Sequence, residues 1–118
     1  KVSFFVCFHL KLSMFLERIR VANNIPEKEY FNLIYNMYSH NSQSFVIYLK
    51  ELSYIFLLEN QHKFNYDFKK EFDFFMTKVD KFELIYNSID KKDIVENIND
   101  KKEIKGIFKQ NLKKYYCE

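Results

Sequence analysis

Residues 67–89 read DFKKEFDFFMTKVDKFELIYNSI, and in them Phe68, Phe72, Phe75, Val79, Phe82, Tyr86 and Ile89 recur at alternating steps of four and three. Residues three and four apart are neighbours on an α-helix, so this spacing draws one apolar stripe. Lys, Glu and Asp fill most of the intervening positions. The pattern is a heptad seam of about three repeats on a helix from about Asp67 to Ile89, on the order of 34 Å long. Such a coiled-coil-like stripe has two uses. It is the core of a bundle, the ordinary case in a domain of this size, or it runs past the bundle to meet a partner helix. Phe68, Phe72, Phe75, Val79, Phe82 and Tyr86 are therefore the candidate core or partner seam.

Outward from the seam, helical spacing continues. A first helix is expected from Ser3 to about Ala22, dense in Phe, Leu and Met and apolar on more than one face, as suits a central helix packed on several sides. It ends at Asn23-Asn24. A second begins there, with Asn24 as cap, Pro26 in the first turn, and Glu27 and Glu29 at the positive end of the macrodipole. It carries Tyr30, Leu33, Ile34, Met37 and Tyr38 and stops in the polar run Ser39–Ser44. Phe45, Leu49, Leu52 and Phe56 mark a third, closed by a polar break at Asn60–Asn65. Asp93–Asn99 suits a short helical turn. Asp100 and Glu103 have capping-box character and open a last helix on Ile104, Ile107, Phe108, Leu112 and Tyr115. The whole is expected to be an all-α, antiparallel bundle of four to five helices in a single domain covering residues 1–118.

Composition narrows the alternatives. The 118 residues are 47% hydrophobic and 30% charged with a net charge of +3, enough apolar content for a core and too little net charge for a disordered chain. There is one glycine, Gly106, and one proline, Pro26. A β-sandwich needs turn residues at regular intervals, and phosphate-binding loops need several glycines, so both are excluded. Phe, Tyr, Asn, Lys and Ile dominate, and all have AT-rich codons. The 19% aromatic content is thus partly a mutational bias of an AT-rich genome and not in itself a binding signature. Cys7 and Cys117 sit at opposite ends of the chain; two free thiols in a reducing compartment fit better than one bridge between the termini. Val2–Leu10 behind Lys1 has the look of a signal-peptide core, but it is too short to span a bilayer and no small-residue cleavage site follows. A buried first helix is the simpler reading of residues 2–16, with an interfacial anchor or a targeting segment as alternatives.

Catalytic chemistry is thin. No Gly-x-Ser-x-Gly or His-Glu-x-x-His motif occurs, and His9, His40 and His62 fall on three different segments. Cys7 and His9, two apart, point in different directions on a helix and cannot share a metal. Phe31–Asn36 and Phe82–Asn87 match at five of six positions, an echo that two helical hairpins or chance would explain. Neither Ser39–Glu51 nor Asp90–Asp100 has the glycine and carboxylate spacing of a calcium loop. No enzyme activity, cofactor or metal is expected.

The basic C-terminal segment is the strongest functional lead. Lys91–Glu118 holds eight lysines and five acids, and Lys102, Lys105, Lys109 and Lys113 form a candidate basic interaction face on a basic amphipathic helix. A solvated helix face explains the same spacing. The absence of arginine from this segment argues against phosphate reading and makes nucleic acid a poor partner. The expected function is a non-catalytic protein–protein interaction module, an adaptor or a subunit of a larger assembly, whose partner is another protein or a second copy. The alternative is a membrane- or lipid-associated protein that uses the apolar N-terminal helix or the basic C-terminal one on an anionic lipid surface.

Overall fold

In the computed structural model the described residues form five α-helices: α1 (Val2–Val21), α2 (Glu27–His40), α3 (Phe45–Phe64), α4 (Lys69–Ser88) and α5 (Lys101–Cys117). The structure describes residues 2–22, 24–41, 43–64, 68–88 and 101–117, with the side chains of 59–64 and 101–105 excepted. No strand occurs among the described residues. The chain is an all-α helical bundle. The turn expected at Asp93–Asn99 lies outside the described residues.

Helix ends follow local chemistry, with two corrections. Pro26, not Asn24, takes the N-cap position of α2, with extended backbone and no side-chain cap. Its carbonyl accepts from the Glu29 N–H at 3.0 Å. The ring fixes φ and removes an N–H that would have had no helical partner, so Pro26 starts the helix without help from Asn24. The second correction is in α3, which runs unbroken to Phe64 through the expected polar break at Asn60. Asn, Gln, His and Lys leave the backbone ladder intact; without Gly or Pro, polarity alone does not end a helix. Between α2 and α3, Asn41 closes one helix and opens the next. Its N–H donates to the Met37 carbonyl, and its Oδ1 accepts from the Ser44 N–H at 3.1 Å.

Ring contacts fix the packing. Phe15 of α1 meets Tyr30 of α2 and Phe75 of α4, with centroids 5.0 and 5.7 Å apart. Phe82 of α4 meets Phe31 and Tyr38 of α2 and Phe45 of α3. Phe56 of α3 meets Phe68 at the start of α4. Pairs such as Phe4–Tyr48 and His9–Phe56 ascend together, so α1 and α3 are parallel. Tyr30–Phe75 and Tyr38–Tyr86 do the same for α2 and α4. Consecutive helices therefore alternate in direction. α1 and α3 lie side by side on the α2–α4 layer, and α5 packs across α2 and α4. The core runs continuously through all five helices.

The α4 seam is in that core. Phe68, Phe72, Phe75, Val79 and Phe82 are buried, and Tyr86 is half-buried. In α5 the buried line differs from the expected one: Leu112 and Tyr116 are fully buried, Ile107 and Phe108 are half-buried, and Tyr115 is exposed. Phe108, Leu112 and Tyr116 stand four apart, and a step of four keeps them on one ridge that fits the groove between α2 and α4. The side chain of Ile104 lies outside the described residues.

Two predictions follow from this packing. Phe75 touches rings on α1 and α2 and has no solvent exposure, so Phe75→Ala should lower the denaturant-unfolding free energy by about 3–5 kcal/mol; a loss under about 1 kcal/mol would contradict this helix phase. The second concerns alkaline pH. Burial holds the Tyr116 phenol well above the ordinary tyrosine range, and burial together with the hydrogen bond to Tyr86 does the same for Tyr38. The unfolded chain would release these protons near pH ~10. The stability they contribute is therefore complete below that pH and falls as pH rises above it. Tyr116→Phe should flatten the loss of thermal stability above pH ~10, and an unchanged alkaline limb would refute the assignment.

Candidate functional site

The structure separates the two faces singled out in the sequence. The α4 seam faces inward, as described above. On α5, Lys109 is exposed with its Nζ 4.9 Å from the ring centre of Tyr35 on α2, and Lys113 is half-buried. Helical phase explains this: at about 100° per residue, Lys109 and Lys113 lie within ~60° of buried Tyr116. Lys109 lies against Tyr35 of α2, the behaviour of a long cationic side chain at the rim of an apolar contact. The side chains of Lys102 and Lys105 lie outside the described residues, so the structure brings together two of the four stripe lysines.

Histidine chemistry is equally limited. Ser3 Oγ and His40 Nε2 are 3.1 Å apart, with the imidazole edge-on to Phe4 and Phe8. The pair is exposed, and among the described residues no carboxylate hydrogen-bonds or ion-pairs with His40 to orient it as a base. His9 is half-buried against Phe56, and the His62 side chain lies outside the described residues. Among the described residues no cluster of His, Cys, Asp and Glu could hold a metal ion. Cys7 and Cys117 are free and exposed.

A cleft of about 1160 Å³ opens where the end of α1, the turn to α2 and the first half of α4 meet. Its charges neutralise one another. Lys78 Nζ donates to Glu27 Oε1 at 2.6 Å and stands over Tyr30 and Phe74, and Lys81 lies 3.8 Å from the second Glu27 oxygen. Beside it, Arg18 donates to Glu29 at 2.9 Å and holds that carboxyl below its ordinary range. These ion pairs tie α1 and α4 to the start of α2. No set of donors converges on an empty position, as a built ligand site would require.

Among the described residues an exposed apolar surface lies elsewhere. α1 is peripheral rather than central, a correction to the expectation from its apolar faces. Phe4, Phe8, Leu12, Phe15 and Leu16 are buried. Val2, Val6, Leu10, Met14 and Val21 remain exposed, Val6 at 76% and Leu10 at 67%. At about 100° per residue these five fall within an arc of ~120° on the side away from α2 and α4. α3 repeats the arrangement: Phe45, Leu49, Leu52 and Phe56 are buried, while Ile47, Tyr54, Ile55 and Leu58 are exposed. Both helices rest on the same layer by their buried sides, so both outer arcs face the same way. The result is one continuous apolar face two helices wide. Its sequence signal is a ladder of four-residue steps, Val2–Val6–Leu10–Met14, running beside the buried ladder Phe4–Phe8–Leu12–Leu16.

A bilayer span does not explain the apolar face: among the described residues no helix is long and apolar enough to cross a membrane. Comparison with protein-family models, with curated proteins and with solved structures finds no match for this chain.

Exposure of the α1 ladder has a direct check. Val6→Ser with Leu10→Ser should leave the unfolding free energy within about 1 kcal/mol of the parent under conditions where the chain is monomeric, because neither side chain is in the core. A loss above ~3 kcal/mol would place these residues inside the bundle after all.

Proposed function

We propose that this chain is a non-catalytic protein-interaction module, an adaptor or a subunit of a larger assembly, that docks through the outer face of α1 and α3. The observation that carries the reading is the contiguous exposure of large aliphatic side chains from two adjacent helices. Single exposed apolar residues are ordinary, whereas a contiguous patch beyond a few hundred Å² marks a contact surface. Burial of that face against another apolar surface would remove it from water at about 25 cal/mol per Å². Nothing comparable favours catalysis: among the described residues no carboxylate hydrogen-bonds or ion-pairs with His40 to orient it as a general base.

A lipid surface is the second reading, because aliphatic side chains on one helix arc also suit an interfacial helix. The charges around the face place it second. Arg20 pairs with Glu17 on α1, and Lys50 is adjacent to Glu51 on α3. Anionic headgroups select for a basic rim, not a mixed one.

Two paired variants test the proposal. Val6→Lys with Leu10→Lys alters the apolar face, and Lys109→Glu with Lys113→Glu alters the flank of α5. Chemical crosslinking of the chain with itself and with proteins of its native extract should be lost in the first variant and kept in the second. Anionic vesicles should bind none of the three proteins strongly. Crosslinking unchanged in the first variant would overturn the reading. Vesicle binding lost in either variant, and weakened by salt, would favour the lipid alternative.

A further inference from the structure

We infer that the occupant of the α1–α3 outer face is the same face of a second copy of this chain, in a two-fold symmetric dimer. This rests on the interaction-module reading and names the partner.

Area is the first argument. Nine large apolar residues, Val2, Val6, Leu10, Met14 and Val21 on α1 and Ile47, Tyr54, Ile55 and Leu58 on α3, are 42% to 76% exposed. With ~100 Å² open on each, the face presents on the order of 900 Å² of apolar surface, close to the ~800 Å² that each partner contributes to a standard interface. An ordinary monomer's largest patch is about 300–600 Å². The face is thus large enough for one whole interface and is confined to one side of the molecule.

Charge is the second. A two-fold axis sets a surface against itself, so a rim of one sign would repel its mate. Here both signs are present: Glu17 and Arg20 already lie 3.6 Å apart, and Lys50 and Glu51 are adjacent on α3. Along the first nine residues of α1, from Val2 to Leu10, the outer arc carries no charged residue. With an uncharged Val2–Leu10 ridge and charges of both signs beside it, the face meets its own image without the repulsion of a one-signed surface. A one-signed partner would leave half of that rim mismatched.

Shape is the third. Val2, Val6, Leu10 and Met14 stand four apart and form a ridge on α1, which lies against its parallel neighbour α3. Ridges of this spacing pack into the grooves of a like surface, and a two-fold operation supplies one ridge and one groove from each copy.

The native cysteines make the contact measurable. Cys7 is exposed on α1 at the Met14 edge of the face, about 20° around the helix from Met14. Cys117 is exposed at the end of α5, which packs on the opposite side of the α2–α4 layer. Sedimentation of the full chain under reducing conditions, over a series of concentrations, should show a reversible dimer. Val6→Lys with Leu10→Lys should raise the dissociation constant by about 100-fold or more, since hot-spot losses of this kind are common when an interface centre is made charged, and should leave the helical circular dichroism unchanged. Maleimide labelling of Cys7 should be slow at dimer-forming concentrations and fast in the variant, with Cys117 labelled equally in both. A chain that stays monomeric at every concentration overturns the inference, as does a dimer that persists in the variant or shields Cys117 and not Cys7. These outcomes are distinct from failure of the module reading: a monomer whose extract crosslinks still depend on Val6 and Leu10 keeps the module and loses the dimer. Loss of both requires that those crosslinks also survive the variant.

Discussion

Phe75 and Phe82 on α4 make contacts that a smaller side chain could not reach. Phe75 spans to Phe15 on α1 and Tyr30 on α2, and Phe82 to Phe31 on α2 and Phe45 on α3. Tyr86, one turn on, meets Phe108 of α5. One stripe on one helix thereby holds all four others. An aromatic ring gives this reach because it carries large area on few rotatable bonds, and each well-set pair contributes about 0.5–1.5 kcal/mol beyond its burial. The helices around α4 are individually short, at 14 to 20 residues, a length at which packing and not intrinsic propensity sustains a helix. Without the seam, α1, α2 and α5 would lose their shared contact surface together.

That constraint also sets what is left over. α2 and α4 are covered on one side by α1 and α3 and on the other by α5, and their outward positions are mostly polar, such as Asn32, Asn36, Asp73 and Asp80, with Phe74 and Leu84 as apolar exceptions. α1 and α3 are covered on one side only. Both carry more apolar residues than that side can bury, and the surplus lies on the arc facing away from the bundle. The arrangement follows from the layer order: helices at the edge of a three-layer stack have half their circumference in solvent.

The fold was legible in the sequence because its information is periodic. The four-three spacing from Phe68 to Tyr86 specifies a helix and its inward face, and Phe45, Leu49, Leu52 and Phe56 do the same for α3. What was not legible depends on neighbours. Apolar density on both sides of α1 is equally consistent with a central helix and with a peripheral one that keeps an unpartnered face; only the packing of Phe4 and Phe8 on one side shows which it is. In α5, Tyr115 and Tyr116 are chemically interchangeable, and their roles are decided by where the groove between α2 and α4 runs. The same holds for the lysine stripe. Its spacing is visible in the sequence, but the ring of Tyr35 beneath Lys109 is a tertiary contact between residues 74 positions apart.

A mutational bias toward AT-rich codons would be a rival account of the α1–α3 face: drift toward Phe and Ile could coat any surface with apolar residues. The distribution of residues argues against it. The same bias supplies Asn and Lys just as readily, and at the outward positions of α2 that is what is found: Lys28, Asn32, Asn36 and Ser39. On α1 the outward ladder is Val2, Val6, Leu10 and Met14, and neither valine nor methionine is among the residues that dominate this composition. A mutational process acts on every helix alike, so it cannot select aliphatic residues for one arc and amides for another. A physical requirement specific to that arc can, and removal from water against another apolar surface is such a requirement.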